Sequence, residues 1–195
     1  MKQAIYRFLF SLMLVVGLGA CVGLKPRPDK MRTYVLGPLE LLEPEQDLAM
    51  PIYIERPDLP AYSTGNRFVI RDKNGRTSSL DDARWAEMLP DTVSRALGEW
   101  VADQSGRRLG GYYPWPKMSN TLVSVRVQFQ QFVATADGRI LVSAQWQVSA
   151  EGVEAKSGGY LSENIVWQPD DPESIVSGYN QALRELAALV ADAFQ

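Results

Sequence analysis

Paired carboxylates and a single thiol are the residues of this sequence whose types and spacing could support chemistry. Asp81-Asp82, Asp170-Asp171 and Glu151 with Glu154 stand close enough along the chain for acid–base work of the kind two-carboxylate hydrolases perform. Each pair also has a plainer role. The first two fit helix caps and the third a solvated turn, positions that acids strongly prefer. Histidine is absent from all 195 residues, which removes the commonest general base, the commonest zinc ligand and every Ser-His or Cys-His arrangement. No Gly-x-x-x-x-Gly-Lys-Ser/Thr, Gly-x-Gly-x-x-Gly or Gly-x-Ser-x-Gly occurs, which disfavours nucleotide hydrolysis and the common serine hydrolases. With one thiol and no imidazole, no zinc or copper site is expected, and no alternating Asp/Asn run closed by Glu offers a calcium loop. The chain reads as a protein that is not an enzyme and carries no cofactor.

The thiol is Cys21, the only cysteine. Lys2 and Arg7 precede an uncharged apolar run from Phe8 to Ala20, and the small residues Gly19 and Ala20 stand directly before the cysteine. A positive start, a short apolar stretch and small residues at the cut are the marks of an export signal. Leu18-Gly19-Ala20-Cys21 resembles a lipobox, where the signal is removed and the new N-terminal cysteine is acylated. A transmembrane helix is the alternative reading, but crossing the hydrocarbon takes roughly 20 apolar residues, more than this run supplies. One acyl chain holds a protein only marginally, at about 0.8 kcal/mol per buried methylene, so two or three chains are needed for a stable anchor. Acylation also uses the sulfur, leaving no disulfide to staple the fold.

Loss of Lys2 and Arg7 with residues 1–20 leaves 18 of the 20 basic residues against 23 acidic ones, a formal charge of about −5 on 175 residues. That length makes one domain comfortably, and the charge argues against nucleic acid, whose binding surfaces cluster Lys and Arg. Residues 21–32 form the lipidated cysteine and a tether in which Pro26 and Pro28 favour an extended spacer. The eleven residues from Val22 to Arg32 reach at most ~36 Å, so the domain at 33–195 stays close to its membrane.

A second group of residues suits binding. Gly106 to Pro116 is rich in Gly and Pro and reads as a loop carrying Arg108, Tyr112, Tyr113 and Trp115. Two readings stand: a lid folded back on the domain, or exposed anchors for a protein partner, where Tyr, Trp and Arg concentrate binding energy.

Regular elements must hold these candidates. Thr33–Leu36, Pro51–Glu55 and Arg67–Arg71 have strand composition, and Lys73-Asn74-Gly75 marks a tight turn. From Asp81 to Ala102 the period is helical, with Trp85, Leu89, Val93, Leu97 and Trp100/Val101 on one apolar stripe. Trp85 there reads as core, and Pro90 predicts a kink or a short first helix ending near Met88. Val123, Val125, Val127 and Phe129 alternate with polar residues, as do Ile140, Val142, Ala144, Trp146 and Val148. Asp137-Gly138 signals a hairpin between them, and Ser157–Trp167 returns as a third strand after Glu151-Gly152. This is an antiparallel meander with one solvated face. A last helix opens with Asp171 as N-cap and Pro172 at N1, and Ile175, Tyr179, Leu183, Leu186 and Val190 form its stripe. The expected fold is α/β, a single domain whose mixed, mostly antiparallel sheet is covered on its apolar face by two long amphipathic helices.

Six stretches occur in an order that resembles a known family. They are Tyr34-Val-Leu-Gly-Pro38, Leu59-Pro-Ala-Tyr62, Asn66-Arg-Phe-Val-Ile-Arg71, Ala83-Arg-Trp-Ala-Glu-Met-Leu89, Ala144-Gln-Trp146 and Tyr179-Asn-Gln-Ala-Leu183. The family is that of the ABC-type transport auxiliary lipoproteins, which includes the PqiC (YmbA) group. The resemblance implies an α/β fold like that of TolB N-terminal or anticodon-binding domains, with a tendency to form homo-oligomeric rings. It implies a noncatalytic lipoprotein on the periplasmic face of the outer membrane, held by acyl chains on Cys21. Its partner would be an MCE-domain protein of a Pqi- or Mla-like system that moves lipids between the two Gram-negative membranes. Val22 agrees with the outer membrane, since the inner-membrane retention signal familiar from enteric bacteria is an aspartate at that position. A lipid carrier that encloses an acyl chain between helix and sheet is the alternative.

Overall fold

Among the described residues there are eight strands and two α-helices, in the order β1 (Arg32–Tyr34), β2 (Ile52–Ile54), β3 (Arg67–Arg71), β4 (Thr77–Trp85), α1 (Leu89–Ser105), β5 (Leu109–Tyr112), β6 (Val123–Thr135), β7 (Ile140–Ala150), β8 (Val153–Leu161) and α2 (Pro172–Asp192). The computed structural model describes residues 30–38, 50–117, 122–169 and 171–194. The signal and nearly all of the tether, Cys21 included, lie outside the described residues.

Period-two alternation makes β6 the spine of one mixed sheet. On one side it pairs antiparallel with β7, which pairs antiparallel with β8. On the other side β6 holds two branches: β2 lies parallel to its first residues with β5 beyond, and β3 lies parallel to its last residues with β4 and then β1 beyond. The long ladders are antiparallel and the short ones parallel. A bulge leaves Gln130 without a partner, since Phe129 faces Ala144 while Gln131 faces Ser143. One extra residue shifts the pleat by one, so Phe132 and Ala134 continue the core face begun by Val123, Val125, Val127 and Phe129.

Both helices lie on that face. α1 buries Leu89, Val93, Ala96, Leu97, Trp100 and Val101, and α2 buries Ile175, Tyr179, Ala182, Leu183, Leu186 and Val190. Asp171 caps α2 as its composition predicts, accepting a hydrogen bond from Glu173 N at 3.0 Å. α2 approaches the sheet closely at Gly178, where a Cβ would stand 2.7 Å from Ile140 Cγ1.

Three sequence expectations change. The helix expected from Asp81 is strand as far as Trp85, and α1 begins at Leu89. Pro90 therefore causes neither a kink nor an early stop. It stands in the first turn, where its missing amide proton has no partner to lose. Trp85 is core as expected, at 1% exposure, but from the end of β4. Its spacing of four from Leu89 bridges two elements that face one core. The Asp81-Asp82 pair consequently lies in a strand and caps nothing. Second, the loop expected over Gly106–Pro116 contains β5, paired parallel with β2. Its glycine serves close approach, since a Cβ on Gly110 would lie 2.8 Å from Leu122 Cδ2 and 3.1 Å from Pro51 Cβ. Third, the last meander strand spans Val153–Leu161, earlier than Ser157–Trp167. Trp167 lies past its end and seals the hairpin, donating from Nε1 to Thr135 O at 2.9 Å.

Aromatic rings link these parts. Tyr34 meets Phe68 edge-on at 5.5 Å, Phe68 stacks on Trp85 at 4.1 Å, and Trp85 leans on Tyr179 at 5.9 Å. Tyr179 stacks on Phe132 at 4.4 Å, and Phe132 meets Phe129 edge-on at 5.3 Å. The segment after β1 is tied to both helices. Leu36 N donates to Thr92 Oγ1 (3.2 Å), Gly37 N to Asn180 Oδ1 (3.1 Å) and Arg95 Nη2 to Leu36 O (2.8 Å). Gly37 has φ +120°, and a Cβ there would sit 2.9 Å from Glu99 Oε2 and 3.0 Å from Arg95 Nη1. Side chains pay for such a backbone with about 1–3 kcal/mol. Gly37→Ala should therefore lower unfolding free energy by about that amount in urea denaturation; an unchanged midpoint would show that the segment adapts freely.

Candidate functional site

Of the four loop residues singled out for binding, the structure groups two with partners the sequence did not suggest. The parallel pairing of β2 with β5 brings their C-terminal ends together, and the segment after β5 folds against β2. Tyr113 N donates to Ile54 O at 2.9 Å, and Trp115 N to Tyr112 O at 3.0 Å. The Tyr53 hydroxyl donates to Trp115 O at 2.5 Å. Burial, then the nearby Glu55 charge, pushes the Tyr53 pKa up, so the phenol stays neutral and keeps donating. The Arg56 guanidinium lies over the Tyr113 ring, 5.4 Å from its centroid, a contact worth about 0.5–1 kcal/mol when exposed. The Tyr113-Pro114 bond is cis. Lys117 Nζ donates to Ser124 Oγ at 2.9 Å, closing the segment onto β6.

The backbone is thus held from four sides while the Trp115 side chain stays in solvent. Trp115 is 67% exposed, well over what a lid folded onto the core would show. Tyr112 is half-buried against the core and Tyr113 is half-buried under Arg56. Arg108 is exposed at the opposite end of β5, where its carbonyl accepts from Ile52 N at 3.0 Å. The compact cluster is therefore Tyr53, Arg56, Tyr113 and Trp115. Tyr53 and Arg56 went unread because their link to the loop depends on a parallel pairing between strands more than fifty residues apart, for which a sequence shows no local signal.

The carboxylate pairs take structural or solvated places. Asp82 pairs with Arg32 at 2.7 Å, Asp171 caps α2 while Asp170 lies outside the described residues, Glu151 is exposed in the β7–β8 turn and Glu154 is exposed on β8. Among the described residues no group of three or more acids, thiols or imidazoles assembles where a metal could sit. The cavity beside the C-terminal end of α2 measures about 160 Å³ and is lined by Met50, Val123, Val148 and Phe194 together with Arg107, Glu154 and Lys156. Ligand pockets usually measure roughly 300–1,000 Å³.

The described residues form a small α/β domain with Trp115 exposed on a loop held by backbone and side-chain hydrogen bonds. The chain belongs to the family of the ABC-type transport auxiliary lipoprotein component, whose family model matches residues 34–191. It is thereby an auxiliary transport component of a lipoprotein family, and that family is not a known enzyme family. No described helix is long and apolar enough to cross a membrane. Two solved structures share the fold. One, described as the crystal structure of an uncharacterized protein, is 19% identical with a TM-score of 0.66, over 85% of this chain and 99% of that one. Protein XCC0632 from Xanthomonas campestris is 12% identical with a TM-score of 0.54, over 83% of this chain and 90% of its own. No curated protein matches the chain in sequence.

Trp115→Ala should leave stability within about 0.5 kcal/mol, as for exposed positions that pack against nothing. Tyr53→Phe removes one hydrogen bond, about 0.5–1.5 kcal/mol, and should raise amide hydrogen exchange at Trp115 while α1 and α2 exchange as before. Equal protection in wild type and Tyr53→Phe would mean that the phenol does not hold the loop.

Proposed function

We propose that this chain is an outer-membrane lipoprotein, anchored on the periplasmic face by acyl chains on Cys21, that docks the periplasmic component of an MCE-type intermembrane lipid transporter. The observation that carries the docking role is Trp115, an indole 67% exposed on a backbone fixed by Tyr53, Tyr113 and Lys117. Tryptophan, tyrosine and arginine dominate the few residues that supply most interface energy. An anchor ordered before the partner arrives also loses less entropy on binding. Membership in a transport auxiliary lipoprotein family supports a noncatalytic role beside a transporter. The lipobox-like Leu18–Cys21 supports export and acylation, Val22 supports the outer membrane, and the tether of at most ~36 Å keeps the loop near one membrane.

Co-purification from cells carrying a tagged MCE protein tests the reading. Wild type should be captured, and Trp115→Ala should lose capture by about 30-fold, the equivalent of a 2 kcal/mol hot spot, while its amount in the outer-membrane fraction stays constant. Cys21→Ser should leave that fraction altogether. Capture of Trp115→Ala at the wild-type level would remove the loop from the docking surface. Failure to capture wild type under any condition would remove the partnership.

A further inference from the structure

Two of the sequence stretches without a role so far, Asn66–Arg71 and Ala83–Leu89, meet in the sheet. β3 and β4 run antiparallel there with Arg67 directly opposite Arg84, and Trp85 N donates to Asn66 O at 2.8 Å to hold that register. Directly opposed residues share a face with Cβ atoms about 4.5–5.5 Å apart, and like charges so placed destabilise a sheet. The pair stands apart from the rest of the β3–β4 ladder, which resumes with Val69 opposite Ser79 after an irregularity, and it is backed by aromatic packing. Phe68 and Trp85, each next in sequence to one of the arginines, are buried on the other face and stack at 4.1 Å with their planes 15° apart. Both arginines are exposed, and neither guanidinium has an ion pair or a hydrogen bond among the described residues. Two acids close to Arg84 in sequence are engaged elsewhere, Asp82 with Arg32 at 2.7 Å and Glu87 with Arg95 at 3.8 Å, while Asp81 is exposed on the same strand.

We infer that Arg67 and Arg84 form a two-armed site for a phosphate group, and that the phosphate is the headgroup of an anionic phospholipid in the membrane that holds the chain. Guanidinium forks match the oxygens of phosphate and bind them in pairs, and an anion between the two relieves their repulsion. Position selects the lipid. On its other side Arg84 pairs with Thr33 of β1, so the two cations lie within about 10 Å, two strand spacings, of the first strand. The chain preceding that strand leads back to Cys21 over at most ~36 Å. The inference rests on the acylated-anchor reading above, which keeps this face within one tether of lipid headgroups.

Thermal melting of the full chain, purified from membranes in phosphate-free dodecyl maltoside, tests the site. Adding phosphatidylglycerol to about ten times its dissociation constant should raise the wild-type Tm by roughly 3–6 °C. The Arg67→Gln/Arg84→Gln double variant should melt no lower than wild type without lipid, because a repulsion has gone, and should not respond to lipid. Arg84→Lys, which keeps charge and loses the fork, should retain part of the shift. Equal lipid shifts in wild type and the double variant, or none in wild type, overturn the proposal. Inorganic phosphate that raises the wild-type Tm as far as phosphatidylglycerol at equal phosphate concentration overturns the lipid source. Loss of MCE-protein capture by the double variant without a lipid shift in wild type reassigns the pair to an acidic protein segment. A lipid shift that persists in Trp115→Ala while capture fails separates this site from the docking reading.

Discussion

Tyr34, Phe68, Trp85, Tyr179, Phe132 and Phe129 form an unbroken line of ring contacts from the first strand, through β3, β4 and α2, into the spine of the sheet. Much else hangs on it. Aromatic pairs add about 0.5–1.5 kcal/mol each beyond the area they bury, and Tyr34–Phe68, Trp85–Tyr179 and Phe132–Tyr179 link elements that are not paired strands. β1 has three residues and touches the sheet at one edge, yet a strand leading to a tether must hold. Tyr179 occupies the middle of the line, 4% exposed, and burial raises its hydroxyl pKa so that the phenol stays neutral inside the core.

Trp115, Arg67 and Arg84 all lie outside that line, exposed at the surface. The helix side of the line is filled: positions from Leu36 to Val190 are buried on it, and the space left near Phe194 is small. Trp115 projects from a loop at the edge of the β2–β5 branch, and Arg67 and Arg84 project from the β3–β4 branch. Both branches leave β6 on the same side, at its two ends. A partner at one and a bilayer at the other would suit a protein that holds a transporter component beside a membrane.

Much of the architecture was legible in the residues because it is local. Strict alternation in Val123–Phe129 and Ile140–Val148 specifies strands whatever they pair with, and Asp171-Pro172-Glu173 starts a helix through bonds within one turn. The errors arose where one pattern served two causes. Trp85 and Leu89 share helical spacing, but β4 ends and α1 begins between them, and a period of four cannot report a break that both sides bury. Gly110 and Gly111 resemble loop punctuation, yet Gly110 admits the side chains of Leu122 and Pro51 against a strand. Of the candidate site, Tyr112, Tyr113 and Trp115 were visible by composition. Their partners Tyr53 and Arg56 were not, nor was the departure of Arg108 to the far end of β5.

From residue order alone came the α/β class, the amphipathic stripes of both helices, the meander and the membership in a lipoprotein family, since each rests on chemistry within a few neighbours or on motifs in series. Tertiary structure alone decided which strands share β6, which aromatic ring stacks on which, that the Trp115 indole stays in solvent, and that Arg67 stands opposite Arg84. Most of those outcomes depend on contacts between segments seventeen to ninety-four residues apart. Their register is set by the packing of a common core, and no short-range signal encodes it.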